Sequence, residues 1–204
     1  MTEGCPLKLK RLFDMICSGC GLLLLSPLFL IIALLIKLES NGPVFFRQER
    51  VGLRGRIFRI HKFRTMVVDT EHNGLQITIG EDKRITKVGA VLRKYKLDEL
   101  AQLIDVFLGE MSLVGPRPEV QKYSAYYPEA IRAEILSIRP GITDWASIQF
   151  KDENMLLERS PNPEKTYIED ILPIKQRYYV EYVNNRSFLG DIKIIIKTLD
   201  SVFR

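Results

Sequence analysis

Two adjacent carboxylates, Asp98 and Glu99, lie in the run Lys96-Leu97-Asp98-Glu99-Leu100, with Arg93, Lys94 and Lys96 just before them. A little further on, Ser112-Leu113-Val114-Gly115-Pro116-Arg117-Pro118 sets one arginine between two prolines. A carboxylate can attack phosphorus to form an acyl phosphate, which splits one hard transfer into two easier steps. Attacker and target are both anionic, so nearby cations must offset their repulsion, and Arg93, Lys94, Lys96 and Arg117 supply them. A neighbouring carboxylate such as Glu99 can hold Mg2+, which bridges phosphate oxygens and neutralises charge on a leaving group. Arg117, stiffened by its prolines, loses little entropy when its planar fork grips a phosphate or carboxylate. Taken alone, an Asp-Glu pair is more often solvated helix surface, and a Pro-Arg-Pro turn can be purely structural, its arginine capping carbonyls.

These side chains need elements to hold them. Apolar residues from Val88 to Leu108 recur at helical spacing, which predicts two helices joined near Tyr95-Lys96 within Thr86–Leu108. Asp98 and Glu99 then fall in a first helical turn, where backbone N–H groups favour negative charge. Gly109 ends that helix, and the prolines bias Gly115–Pro118 toward an extended or turn conformation. Upstream, Val44-Phe45-Phe46 and Ile57–Phe63 read as a β-hairpin around Val51–Gly55, placing Lys62 and Arg64 directly after the apolar segment. Asp69–Asp82, with Asn73-Gly74, reads as a polar loop. Downstream, Tyr126–Leu136 reads as a helix and Arg139–Thr143 as a turn. Glu164–Tyr182 reads as a helix interrupted or restarted at Pro173, and Ser187 as the cap of a final amphipathic helix to Phe203 that suits the core slightly better than a membrane surface. The expected class is mainly α with a small β-hairpin.

At 204 residues and 46% hydrophobic, the chain has room for one domain of ordinary size. Met15 to Ile36 carries no charge, a length that reaches across a bilayer's hydrocarbon. It exceeds a signal-peptide core, and Lys37-Leu38-Glu39-Ser40 offers no small-x-small cleavage site, so it reads as a retained anchor. Ser26-Pro27 at its centre should kink or break a helix. Basic residues flank it on both sides, Lys8, Lys10 and Arg11 before it and Lys37 and Arg47 to Arg64 after it. The residues alone therefore leave a spanning helix and a re-entrant hairpin equally open. Net charge of +5 sits mainly in the Arg47–Arg64 stretch, where anionic headgroups or an anionic substrate explain it. A nucleic-acid binder would interleave aromatics with exposed basic residues, a pattern not evident here, so no nucleic-acid partner is expected. Cys17 and Cys20 lie inside the apolar run, where small residues serve close helix packing, and Cys5 is a lone thiol open to S-acylation.

The ordered set of Ser26-Pro27, Phe45-Arg47-Gln48-Val51-Gly52, Lys62-Phe63-Arg64-Thr65-Met66, Leu97-Asp98-Glu99-Leu100, Gly115-Pro116-Arg117-Pro118 and Arg139-Pro140-Gly141-Ile142-Thr143 resembles the bacterial sugar transferases. These are monotopic polyprenyl-phosphate phosphoglycosyl transferases, and the resemblance covers nearly the whole chain. It implies transfer of a sugar 1-phosphate from a UDP-sugar to undecaprenyl phosphate, with release of UMP, at the start of surface-glycan assembly. Asp98 would be the nucleophile and Glu99 the Mg2+ ligand. Lys62, Arg64, Arg93, Pro116, Arg117, Arg139 and Thr143 would bind substrate, Lys62 and Arg93 near phosphates and Arg117 near the nucleotide. Ser26-Pro27 would break a re-entrant helix, giving a membrane anchor over 1–40 and a cytoplasmic catalytic domain with amphipathic interfacial helices over 41–204, at the bacterial inner membrane. The chain looks like the small, core-only form, and its amphipathic last helix leaves a homodimer open. Three departures stand out: Ala101 in place of the family's proline after Asp-Glu-Leu, Asp144-Trp145-Ala146-Ser147, and Lys151-Asp152-Glu153. Sugar choice is expected in the last two. A membrane-anchored scaffold with a silent site is the competing class.

Overall fold

The computed structural model describes residues 4–68 and 84–203. The polar loop expected at Asp69–Asp82 and the side chain of Cys5 lie outside what is described. The uncharged run folds as one helix of 36 residues, α1 (Gly4–Glu39), with Pro27 inside it. A break into two helices at Ser26-Pro27 is therefore not what forms. Pro27 has no N–H for the carbonyl of Leu23, four residues back. The Ser26 hydroxyl donates to that same carbonyl at 2.8 Å, so the helix passes the proline without an empty acceptor.

α1 lies along the remainder of the molecule. Ser18 is fully buried, and Gly19 and Gly21 abut Phe107 and Leu103, so the small residues of this stretch serve close packing. Near its end, Ile32 and Ile36 share a core with Phe63, Leu92 and Ala101. The opposite face shows Leu9, Leu12, Leu23, Leu24, Leu34 and Leu38 to the exterior, and α1 is long and apolar enough to cross a membrane.

The hairpin forms where expected, as β1 (Phe45–Val51) and β2 (Ile57–Phe63), antiparallel with Phe45 opposite Phe63 and Val51 opposite Ile57. α2 (Lys87–Lys94) ends at Tyr95, a 3-10 turn covers Leu97–Gln102, and α3 (Leu103–Leu108) stops at Gly109, whose φ of 89° suits glycine. Next come β3 (Ser112–Val114), α4 (Gln121–Ser124) and α5 (Glu129–Ile135). Pro128 sits at the N-cap position of α5, so the helix expected over Tyr126–Leu136 forms but starts at Glu129.

The turn expected at Arg139–Thr143 is instead a strand, β4 (Gly141–Thr143), parallel to β3 with Ser112 opposite Gly141 and Val114 opposite Thr143. Two glycines make this approach feasible: a Cβ on Gly141 would lie 2.1 Å from the nitrogen of Gly115. α6 (Trp145–Gln149), α7 (Glu153–Glu158) and α8 (Pro163–Thr166) follow, then a π turn (Tyr167–Ile171) that restarts the chain as α9 (Leu172–Asn185), as Pro173 foretold. α4, α5, α7 and α9 surround a tyrosine-rich core of Tyr123, Tyr127, Tyr167 and Tyr179. Ser187 accepts from Gly190 N at 3.1 Å and caps α10 (Phe188–Phe203). α10 buries Asp191 and Ile194 and leaves Leu189, Ile196 and Leu199 exposed, so core packing takes one face only. Among the described residues the molecule is mainly helical, with one hairpin and one short parallel pair.

Candidate functional site

Lys96 adopts a left-handed conformation, φ 53°, and this ends α2 and turns the chain into the 3-10 segment. Asp98 and Glu99 thereby occupy the first turn of that segment, facing β2. Glu99 is clamped. Its Oε1 accepts from Lys62 Nζ at 2.7 Å and from Arg117 Nη2 at 2.5 Å, and its Oε2 accepts from Arg117 Nη1 at 3.1 Å. The Arg117 contact is a two-pronged fork, the geometry in which arginine holds a carboxylate most firmly. Among the described residues, Asp98 makes no side-chain hydrogen bond or ion pair.

The two carboxyls thus diverge electrostatically. Burial pushes Glu99 upward, but Arg117 and Lys62 outweigh it and hold the group well below its ordinary 4.5. Burial raises Asp98 above its ordinary 3.8, with the Glu99 charge adding to the rise and Lys62, Arg93 and Arg117 opposing it. Lys62 is lowered by its own burial. One carboxylate is a fixed part of a cationic cradle, and the other stands beside it with no hydrogen bond or ion pair among the described residues.

Several elements aim the cations. Lys62 comes from β2. Arg117 is delivered by β3, because Gly115 N donates to Thr143 O at 3.0 Å and Gly141 N to Pro116 O at 2.9 Å, locking Gly115-Pro116 against Pro140-Gly141. From β1, Arg50 Nη1 donates to Pro118 O at 3.0 Å and steadies the other side of the Pro-Arg-Pro turn. Arg93 Nε donates to Thr65 Oγ1 at 2.9 Å. That contact needs α2 pressed onto the chain at Thr65, where a Cβ on Gly89 would fall 2.1 Å from the Thr65 oxygen.

Asp98, Glu99, Lys62, Arg93 and Arg117 therefore come together as the sequence suggests, and Pro116 serves them through its carbonyl. Three expected substrate ligands do not join them. Arg64, 5% exposed, turns away and donates to the carbonyls of Ser40 at 2.7 Å and Asn41 at 2.6 Å, satisfying the C-terminal end of α1. Arg139 donates to Gly109 O at 2.7 Å beside the C-terminus of α3, where a cation is favoured. Thr143 pairs its hydroxyl with Thr198 of α10 at 2.6 Å. Two contributors were missed. Arg50 was legible only as one of many basic residues, and Thr65 had no signal beyond its place after Lys62. In the divergent segment, Asp144 caps α6 through Ser147 N at 3.0 Å, and Lys151 is exposed.

Among the described residues no group of three His, Cys, Asp or Glu side chains could by itself enclose a metal. Mg2+ does not need one when substrate phosphates complete its shell. Glu99 Oε2 accepts one hydrogen bond and keeps a lone pair, so Glu99, with Asp98 adjacent, fits a single-carboxylate Mg2+ site.

Compared with known proteins, residues 6–204 match the family model of bacterial sugar transferases. The "UDP-N-acetylgalactosamine-undecaprenyl-phosphate N-acetylgalactosaminephosphotransferase" of Aeromonas hydrophila is 38% identical over 95% of this chain and 43% of its own length. The "UDP-glucose:undecaprenyl-phosphate glucose-1-phosphate transferase" of Escherichia coli (strain K12) is 39% identical over 94% of this chain and 39% of its own. An "Exopolysaccharide production protein PSS" of Rhizobium leguminosarum bv. phaseoli is 37% identical over 96% of this chain and 95% of its own. The chain thus spans about two fifths of the first two relatives and nearly all of the third.

Proposed function

The chain belongs to the bacterial sugar transferases, and on that premise we propose that it moves a sugar 1-phosphate from a UDP-sugar to undecaprenyl phosphate through a covalent intermediate on Asp98. The observation that carries this reading is the division of labour between the two carboxylates: Glu99 is held by Lys62 and Arg117, while Asp98 beside it makes no side-chain hydrogen bond among the described residues. An oxygen of Asp98 attacks the phosphorus that bears the sugar. A new P–O bond forms, the bond from that phosphorus to the UMP oxygen breaks, and UMP leaves with the electron pair. A phosphate oxygen of undecaprenyl phosphate then attacks the same phosphorus. The acyl–phosphate bond breaks, Asp98 regains its carboxylate, and a lipid diphosphosugar departs.

Lys62, Arg93 and Arg117 hold the phosphates and offset the repulsion between Asp98 and the donor. When bound, Mg2+ would supply Lewis-acid neutralisation of the leaving diphosphate oxygen, held by Glu99.

The anchor is read as re-entrant, its unbroken helix bending at Pro27, where a backbone hydrogen bond is missing, with both ends on the cytoplasmic face of the bacterial inner membrane. Two features support this. Basic residues flank both ends, and α1 touches one body from Lys10, bound to Asp191, to Glu39, whose carboxylate accepts from Lys87 N at 2.6 Å. Residues 1–40 are then the anchor and 41–204 the catalytic part.

The test is UMP release by detergent-purified protein given Mg2+, undecaprenyl phosphate and a panel of UDP-sugars. Lipid-dependent UMP from one donor, absent with Asp98→Asn, is expected and names the sugar. UMP from no donor, with UDP-sugars still bound, would favour the scaffold.

A further inference from the structure

α1 carries an aspartate, Asp14, at the edge of its uncharged run, and that aspartate is only 2% exposed. A membrane tether has no use for a buried carboxylate, which is costly unless its oxygens are satisfied. Here both are. Oδ2 accepts from the Ser112 hydroxyl at 2.8 Å and Oδ1 from Leu113 N at 3.2 Å, the first two residues of β3. One turn earlier on the same face, Lys10 reaches Asp191 Oδ2 at 2.5 Å. The other oxygen of Asp191 accepts from the Tyr182 hydroxyl at 2.7 Å, and that hydroxyl also lies 3.1 Å from the carbonyl of Val114, the last residue of β3. All three residues of β3 are thus held, directly or through two side chains, by one face of α1.

β3 runs straight into Gly115-Pro116-Arg117, and Arg117 forks onto Glu99 beside Asp98. The prolines on either side of Arg117 restrict the backbone between the strand and the Arg117 Cα, and the two-pronged contact with Glu99 fixes the side chain beyond it. We propose that Asp14 is a positioning residue of the transfer site: through β3 it sets the position of Arg117, so the membrane helix is part of the active-site framework as well as its anchor. The inference rests on the transfer reading above for its catalytic consequence.

The test uses the full chain in detergent, with undecaprenyl phosphate in the same micelles so that membrane attachment limits nothing. Asp14→Ala leaves Ser112 and Leu113 without an acceptor, and Asp14→Asn keeps one for Leu113 should the alanine variant fold poorly. Both lower kcat, Asp14→Ala roughly tenfold, with KM for the UDP-sugar within about twofold of the parent. Because the effect passes through Arg117, adding Asp14→Ala to Arg117→Lys costs little beyond Arg117→Lys alone, whereas a general loss of structure multiplies the two losses. Amide hydrogen exchange across residues 112–118 rises in the Asp14 variants, a readout that needs no turnover. Unchanged exchange there, an unchanged kcat, or multiplying losses would overturn the positioning role. Absence of UMP release from the parent would instead overturn the transfer reading and leave the exchange result to judge the framework alone.

Discussion

Two neighbouring carboxyls with the same chemistry behave differently because of what each one touches. Asp98→Asn removes the proposed nucleophile, a carboxyl that makes no side-chain hydrogen bond among the described residues and whose charge burial disfavours. Turnover should vanish while the melting temperature stays level or rises slightly. Glu99→Gln strands part of the hydrogen-bonding capacity of Lys62 and Arg117 and should cost on the order of 2 kcal/mol, read as a lower melting temperature. The pH dependence separates the pair again. Burial raises Asp98 above its ordinary 3.8, so if it is the nucleophile proposed above, the acid limb of kcat/KM should lie above that value. Glu99, depressed well below 4.5, contributes stability that is present above 4.5 and lost only as pH falls through its lowered value. Acid unfolding traced by circular dichroism should therefore begin lower in the parent than in Glu99→Gln. The grouping of Asp98, Glu99, Lys62 and Arg117 was legible through the ordered motifs that carry them, since the charged residues by themselves fit a solvated helix surface as well. Arg64 and Arg139, expected as substrate ligands, donate to backbone carbonyls at helix ends, which also attract arginine, and sequence does not say which carbonyls lie nearby.

Among the elements, the turn at Tyr95-Lys96 decides where the carboxylates point. Lys96 occupies left-handed space that disfavours a side chain, so Lys96→Gly should raise stability modestly, and Lys96→Val should lower it by about 1–2 kcal/mol. Chemical denaturation of the two variants checks this. In α1, Ser26→Ala leaves the Leu23 carbonyl without a donor in an apolar setting and should reduce stability by roughly 1 kcal/mol, an effect that Pro27→Leu, which restores an N–H, should largely remove. The helices and the hairpin could be read from periodicity and turn residues. The β3–β4 pair could not: each strand has three residues, and its register depends on Gly115 and Gly141 meeting across a long stretch of chain.

For the molecule as a whole, α1 is a structural member at contacts from Lys10 to Glu39. It completes the core around Phe63 and Leu92, supplies the acceptors of β3, and is closed at its end by Arg64. Deleting residues 1–40 should therefore not release a soluble, active domain. Size-exclusion chromatography should show aggregation, because the apolar faces of β2 and α2 lose their cover. The uncharged run announced an anchor, but its polar grip on the site rests on Lys10 and Asp14, which read as mere flanking charges. The most direct test of the transfer chemistry is intact-protein mass spectrometry after exposure to Mg2+ and the active UDP-sugar with no lipid acceptor. A mass gain of one sugar phosphate, mapped to Asp98, lost on adding undecaprenyl phosphate and matched by a stoichiometric burst of UMP, is expected. UMP formed only when lipid is present, with no adduct at any stage, would contradict a covalent Asp98 intermediate.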